Sequence, residues 1–151
     1  MTTIKDISTI NWSDYRTAYG SAEEVPKLLL DLFSSDKKIV LEATHELWCG
    51  LCHQKAYISS AALPAYEFLK TSLLTLDDET KIDVLDIIEG FSGHTQPKSY
   101  RVNKLKINDW EIELRNKLQL DKEIYRELSR HSNEEISYFA KCIVDNLENI
   151  E

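Results

Sequence analysis

A unit that occurs twice constrains this chain most: a capped helix with a proline in its first turn, an acidic break, then a second amphipathic helix. Pro26 and Pro64 stand 38 positions apart, and the acidic breaks at Asp36 and Asp78 stand 42 apart. A recurrence near 40 residues with helical apolar spacing is the pattern of paired-helix stacks, where one pair cannot bury its apolar face alone and leans on its neighbour. With only four Gly and three Pro in 151 residues, there is little material for sheet corners and tight turns, which points to helices too.

Taken in order, Met1 to Asn11 carry no periodic pattern and read as a loosely held arm. A short helix is expected over Trp12 to Tyr19, with Ser13 as its cap and Gly20 as its stop. Ser21 restarts the chain as a helix with Val25, Leu28, Leu29 and Leu32 on one side, Glu23 and Glu24 near its positive end and Pro26 in its first turn. Ser35 and Asp36 supply the next cap. Ile39, Val40, Ala43, Leu47 and Gly50 then share one side of a helix reaching about Gln54. After a linker from Lys55 to Ser60, Ser59 or Ser60 is expected to cap a helix with Leu63, Tyr66, Leu69 and Leu73 along one face. Asp77 and Asp78 repeat the break, and Ile82, Leu85 and Ile88 line a helix that stops near Gly90 to Gly93.

From His94 to Ile107 the periodicity fails. Lys98, Arg101, Lys104 and Lys106 stand there with no acidic residue among them, the composition of an exposed basic loop. Asn108 or Asp109 caps a third region with Trp110, Ile112, Leu114, Leu118 and Leu120, broken near Gln119 to Asp121. Asn133 caps the last stripe of Ile136, Phe139, Ala140, Ile143, Leu147 and Ile150. Apart from a weak alternation over Tyr100 to Ile107 no strand is indicated. The expectation is a single all-α domain, a short superhelix of about three helix pairs.

Val25-Pro26 followed by Leu28 to Phe33, the acidic turn at Asp36, Glu46-Leu47-Trp48 with Leu51 and His53-Gln54, and Ala62-Leu63-Pro64 with Phe68-Leu69 together resemble a bacterial HEAT-like repeat domain. The resemblance covers about half the chain well and the rest only by architecture. Such families carry Gly-Asn where this chain has Cys49-Gly50 and an aromatic residue where it has Cys52, so both cysteines are departures. The resemblance implies a right-handed stack of antiparallel helix pairs with a concave protein-binding surface, and no reaction.

Charge narrows the partners. Eighteen Lys and Arg against 26 Asp and Glu give a net charge of −8, which disfavours duplex nucleic acid, where phosphates must be neutralised, and suits a basic protein. A DNA-repair role of the HEAT-like kind would need a basic concave face, and the chain offers only Lys98 to Lys106. No basic start with an apolar run and no apolar stretch of about 18 residues occurs, so a cytoplasmic, non-membrane protein is expected. Its three cysteines are then reduced thiols.

Cys49-Gly50-Leu51-Cys52-His53 invites three chemistries. A redox Cys-x-x-Cys wants a thiolate at a helix N-terminus after a strand, whereas these cysteines close a helix, where the dipole disfavours negative charge. Haem attachment wants export and a second axial ligand. Zinc wants convergence, yet His45 and His53, eight residues apart, are about 12 Å apart along the axis. A metal or redox protein using Cys49, Cys52 and His53 is therefore the alternative. His53 is expected instead to close its helix and pin the linker through Tyr57. No glycine-rich phosphate loop, nucleophile signature or His-Glu-x-x-His pair appears, so no catalytic residue, cofactor or metal ligand is nominated.

Glu79, Asp83 and Asp86 fall on the polar side of their helix. With Glu42, His45 and Glu46 of the preceding repeat they would form a negative concave wall. The function expected is a non-enzymatic scaffold binding a protein partner through these six residues. Small acidic cytoplasmic HEAT-like proteins look similar to immunity proteins that occlude a basic toxin.

Overall fold

The computed structural model describes residues 4–96 and 107–148. Among them it is mostly helical, with seven α-helices: α1 Val25–Asp31, α2 Lys37–Cys52, α3 Ala62–Ser72, α4 Asp78–His94, α5 Asp109–Leu120, α6 Lys122–Leu128 and α7 Glu134–Glu148. The all-α expectation is met. Lys98, Arg101, Lys104 and Lys106 of the basic loop, the alternation from Tyr100, and Ile150 lie outside the described residues. No helix among those described is long and apolar enough to cross a membrane.

Several helix starts follow directly from local side chains. Asp36 accepts the Lys38 backbone N–H at 2.9 Å, Asp77 accepts that of Thr80 at 3.0 Å, and Asn133 accepts those of Glu135 and Ile136 at 3.0 and 3.2 Å. Each satisfies amides that the helix itself leaves without a partner. Asp121 separates α5 from α6, where the break was expected.

The N-terminal segment departs from expectation. Instead of a loose arm, Ile4–Thr9 is a 3-10 helix with Ile7 buried. The physical reason is Trp12: its ring is buried and its indole N–H donates to the Ile7 carbonyl at 2.9 Å, which ties the arm down. Nor is Trp12 to Tyr19 a helix. A 3-10 turn at Trp12–Asp14 leads into a two-residue antiparallel ribbon, β1 Arg16–Thr17 with β2 Gly20–Ser21, and Gly20 turns the chain at φ 126°. Long-range hydrogen bonds override the helical pattern: Ala18 N–H to Gly50 at 2.8 Å, and Ala61 N–H to Arg16 at 3.0 Å. Ser60 does not cap α3, because its hydroxyl accepts the Arg16 N–H at 2.9 Å, and Ala61 stands at the cap without a side-chain bond.

α2, α4 and α7 lie side by side, as do α1, α3 and α5. Across the two sets α1 meets α2, α3 meets α4, and α5 meets both α4 and α7, while α6 packs on α7. α4 is the hub. Its Val84, Leu85, Ile87, Ile88 and Phe91 are wholly buried, each contributing about 1.5–3 kcal/mol of burial. In α5 the buried side is Leu114 and Leu118 with Glu111, while Ile112 and Leu120, expected on the apolar stripe, are 50% and 86% exposed. Glu111 is buried because it folds back on its own cap, accepting the Asn108 backbone N–H at 3.4 Å and side-chain amide at 2.8 Å.

Candidate functional site

The neighbouring faces of α2 and α4 leave a groove of about 250 Å³ lined by Leu41, Thr44, His45, Trp48, Asp83 and Asp86. Helical periodicity accounts for the α2 side: positions 41, 44, 45 and 48 fall on adjoining turns. Thr44 is buried, and its hydroxyl lies 2.8 Å from the Leu41 carbonyl and 3.4 Å from the Asp83 carboxylate. The His45 and Trp48 rings sit 6.0 Å apart at 36°. The Trp48 indole N–H is buried with no partner among the described residues.

The charges around the groove are unevenly matched. Lys37 reaches from the start of α2 to Glu79 at 3.0 Å and Asp77 at 3.3 Å, and hydrogen bonds to these two carboxylates hold its ammonium pKa above the usual lysine range. Lys55 lies 2.8 Å from Asp86 and also pairs with Glu89. Burial works against its charge, yet the two carboxylates prevail and raise its pKa. Asp83 has the Thr44 hydroxyl and no lysine. Burial first, then the neighbouring Glu79, Asp86 and Asp77, push its carboxyl above the ordinary range. Asp77 goes the other way, held down to about 2 by the Thr80 amide and hydroxyl.

Of the six expected contact residues, His45, Asp83 and Asp86 therefore share one groove. Glu79 sits beside it in the Lys37 pair. Glu42 and Glu46 are exposed on α2 but do not line the groove. Trp48, Thr44 and Lys55 were missed as members of this site. The spacing His45-x-x-Trp48 carried a signal for Trp48, one helical turn away, whereas nothing local marks Lys55.

The two cysteines of the motif lie inside the fold. Cys52 is wholly buried and Cys49 is 8% exposed, because α2 is covered by α4 as well as by α1. The Cys52 thiol donates to the Trp48 carbonyl at 3.2 Å, and burial pushes its pKa up to about 12. Such a thiol is a weak nucleophile and a poor metal ligand. Cys49 Sγ lies 3.7 Å from His45 Nε2. His53 closes α2 at φ 38° and stacks on Tyr57 with ring centroids 4.7 Å apart, the pinning role expected of it. Gln54 and Lys55 continue the left-handed turn at φ 54° and 70°. Among the described residues no three His, Cys, Asp or Glu side chains are grouped to hold a metal ion. No protein-family model, curated protein or solved structure matches the chain.

Proposed function

We propose that this protein is a non-enzymatic binding scaffold, a HEAT-like stack of helix pairs working in the cytoplasm, whose α2/α4 face engages a basic protein. The observation that carries this reading is the Asp83 carboxylate. It is half-buried among like charges, beside an aromatic ring, and both nearby lysines are committed to other acids. A Lys or Arg presented by a partner would relieve that repulsion and lie against Trp48, gaining cation–π and ion-pair energy together. The exposed Glu42 and Glu46 add long-range attraction and speed association. A small acidic protein with such a face suits an immunity protein that covers a basic toxin domain.

The test is growth rescue and binding. Co-produced with the product of the neighbouring gene, the expected toxin, the protein should restore growth and co-purify with that product as a stable complex. Asp83→Asn combined with Glu42→Lys and Glu46→Lys weakens that complex by about tenfold or more, the loss expected for desolvated charge contacts. Unchanged affinity in this variant removes the α2/α4 face from the account, and failure of the wild type to rescue or to bind removes the immunity reading.

A further inference from the structure

On the other side of the molecule, α3, α5 and α6 and the N-terminal 3-10 turn enclose a second, much larger groove of about 1200 Å³. We propose that it seats an amphipathic, lysine-rich helix of a partner protein. This surface is separate from the α2/α4 face and does not depend on that reading.

Its floor is apolar, and among the described residues part of its wall stays exposed. Leu63 and Phe68 are buried at the bottom, while Leu74 is 77% and Ile124 39% exposed. A leucine this exposed beside an isoleucine contributes little to folding and much to a contact that dries it. The groove exceeds the roughly 300–1,000 Å³ of small-molecule sites, and an open apolar groove of that volume can receive one face of a helix presenting side chains at i, i+3, i+4 and i+7.

The rim fixes the sign of the occupant. Lys70 is bound to Glu67 at 3.0 Å and to Asp121 at 2.9 Å, and Lys117 stands 3.9 Å from Glu67. Glu113 and Glu127 are exposed at the edge, and among the described residues neither is within ion-pair distance of a lysine or arginine, Lys117 one helical turn from Glu113 being turned to Glu67. Among the described residues the surplus is negative. It repels phosphate and anionic lipid, and it repels a second copy of a chain carrying −8. The lining threonines are satisfied within their own helices: Thr71 donates to the Glu67 carbonyl at 2.8 Å and Thr9 to the Asp6 carbonyl at 2.7 Å. Nothing there asks for a polar small molecule. An apolar stripe flanked by lysines matches floor and rim at once.

The probe is a fluorescein-labelled peptide of about five helical turns with Leu at helical spacing and Lys elsewhere, titrated into the full chain by anisotropy. Two controls accompany it, one with the same residues shuffled to leave no apolar face and one with every Lys replaced by Glu. The amphipathic lysine peptide is expected to bind at least about tenfold more tightly than either control. Leu74→Asp with Ile124→Asp, both at exposed positions, should lower that affinity by about tenfold, and Glu113→Lys with Glu127→Lys by about fivefold at low salt. Asp83→Asn should leave it unchanged. Equal binding of the shuffled peptide, indifference to both groove variants, or a dimer in sedimentation that Leu74→Asp dissolves would each overturn the assignment.

Discussion

The His94 Nε2 atom lies 2.8 Å from the carbonyl oxygen of Lys55, and since a carbonyl only accepts, Nε2 carries the proton. This bond joins the end of α4 to three successive left-handed residues, His53, Gln54 and Lys55, none of them glycine. Left-handed geometry in L-residues costs about 1–2 kcal/mol each. The Lys55 pairs with Asp86 and Glu89 and the His94 bond are the compensating contacts.

That turn gives the first prediction. Gln54 is exposed, so Gln54→Gly removes strain without removing a contact and should be neutral or stabilising by up to about 1 kcal/mol. Gln54→Val places a β-branched residue at φ 54° and should destabilise by about 1–3 kcal/mol. His94→Ala should cost about 1 kcal/mol through the orphaned carbonyl. Denaturant midpoints of the three variants check the order.

Asp83 yields a prediction of opposite sign to that of most ion-paired carboxylates. Its folded pKa is raised, so its favourable contribution is fully present when both states are protonated and is lost as pH rises through the folded value. At neutral pH the charge opposes folding. Asp83→Asn should therefore raise the melting temperature at pH 7, and the gain should vanish as pH falls through the carboxylate range. The same change should weaken partner binding, since a site holding unmatched charge trades stability for function. Calorimetry from pH 3 to 8 reads the sign; a variant no more stable at pH 7 would show that Asp83 is not under repulsion.

The Tyr66 and Tyr125 hydroxyls lie 2.7 Å apart in the core, with Asp121 2.8 Å from Tyr66 and Lys70 2.9 Å from Asp121. Burial and the neighbouring oxygens push both phenols well above their ordinary range. Tyr66→Phe strands the Tyr125 hydroxyl and should cost about 1–3 kcal/mol. Tyr125→Phe leaves Tyr66 its bond to Asp121 and should cost less. The double variant should fall short of the sum, because both singles break the same bond.

Thiol labelling gives the fourth prediction. With its pKa pushed up to about 12 and no exposed surface, Cys52 should react with iodoacetamide about a hundredfold or more slowly than the half-buried Cys142 in the folded protein. The difference should disappear in denaturant. Peptide mass mapping distinguishes the sites, and prompt labelling of Cys52 would mean that α2 and α4 open readily.

Features governed by neighbours along the chain were legible in the sequence. Asp36, Asp77 and Asn133 cap helices with side-chain oxygens two or three residues from the amides they satisfy, and Asp121 breaks a helix for equally local reasons. Trp12 to Ser21 was not legible, since its ribbon is held by Gly50, Ser60 and Ala61, far along the chain. Within the candidate site, helical spacing placed His45 on α2 and Asp83 and Asp86 on α4, and the packing of the two helices brings them together. It could not show that Lys55, 31 positions before Asp86, folds back to neutralise it. No glycine announced the left-handed turn that makes the return possible.

The central position of α4 has a consequence during synthesis. Its apolar side facing α7 is completed only when Ile136, Ile143 and Leu147 have been added. The 54 residues from Thr95 to Glu148 take roughly 3–10 s to polymerise at ordinary translation speeds. Throughout that interval the nascent chain carries a greasy ridge with no cover. Until α7 docks, that side of α4 is open to chaperones and to other emerging chains.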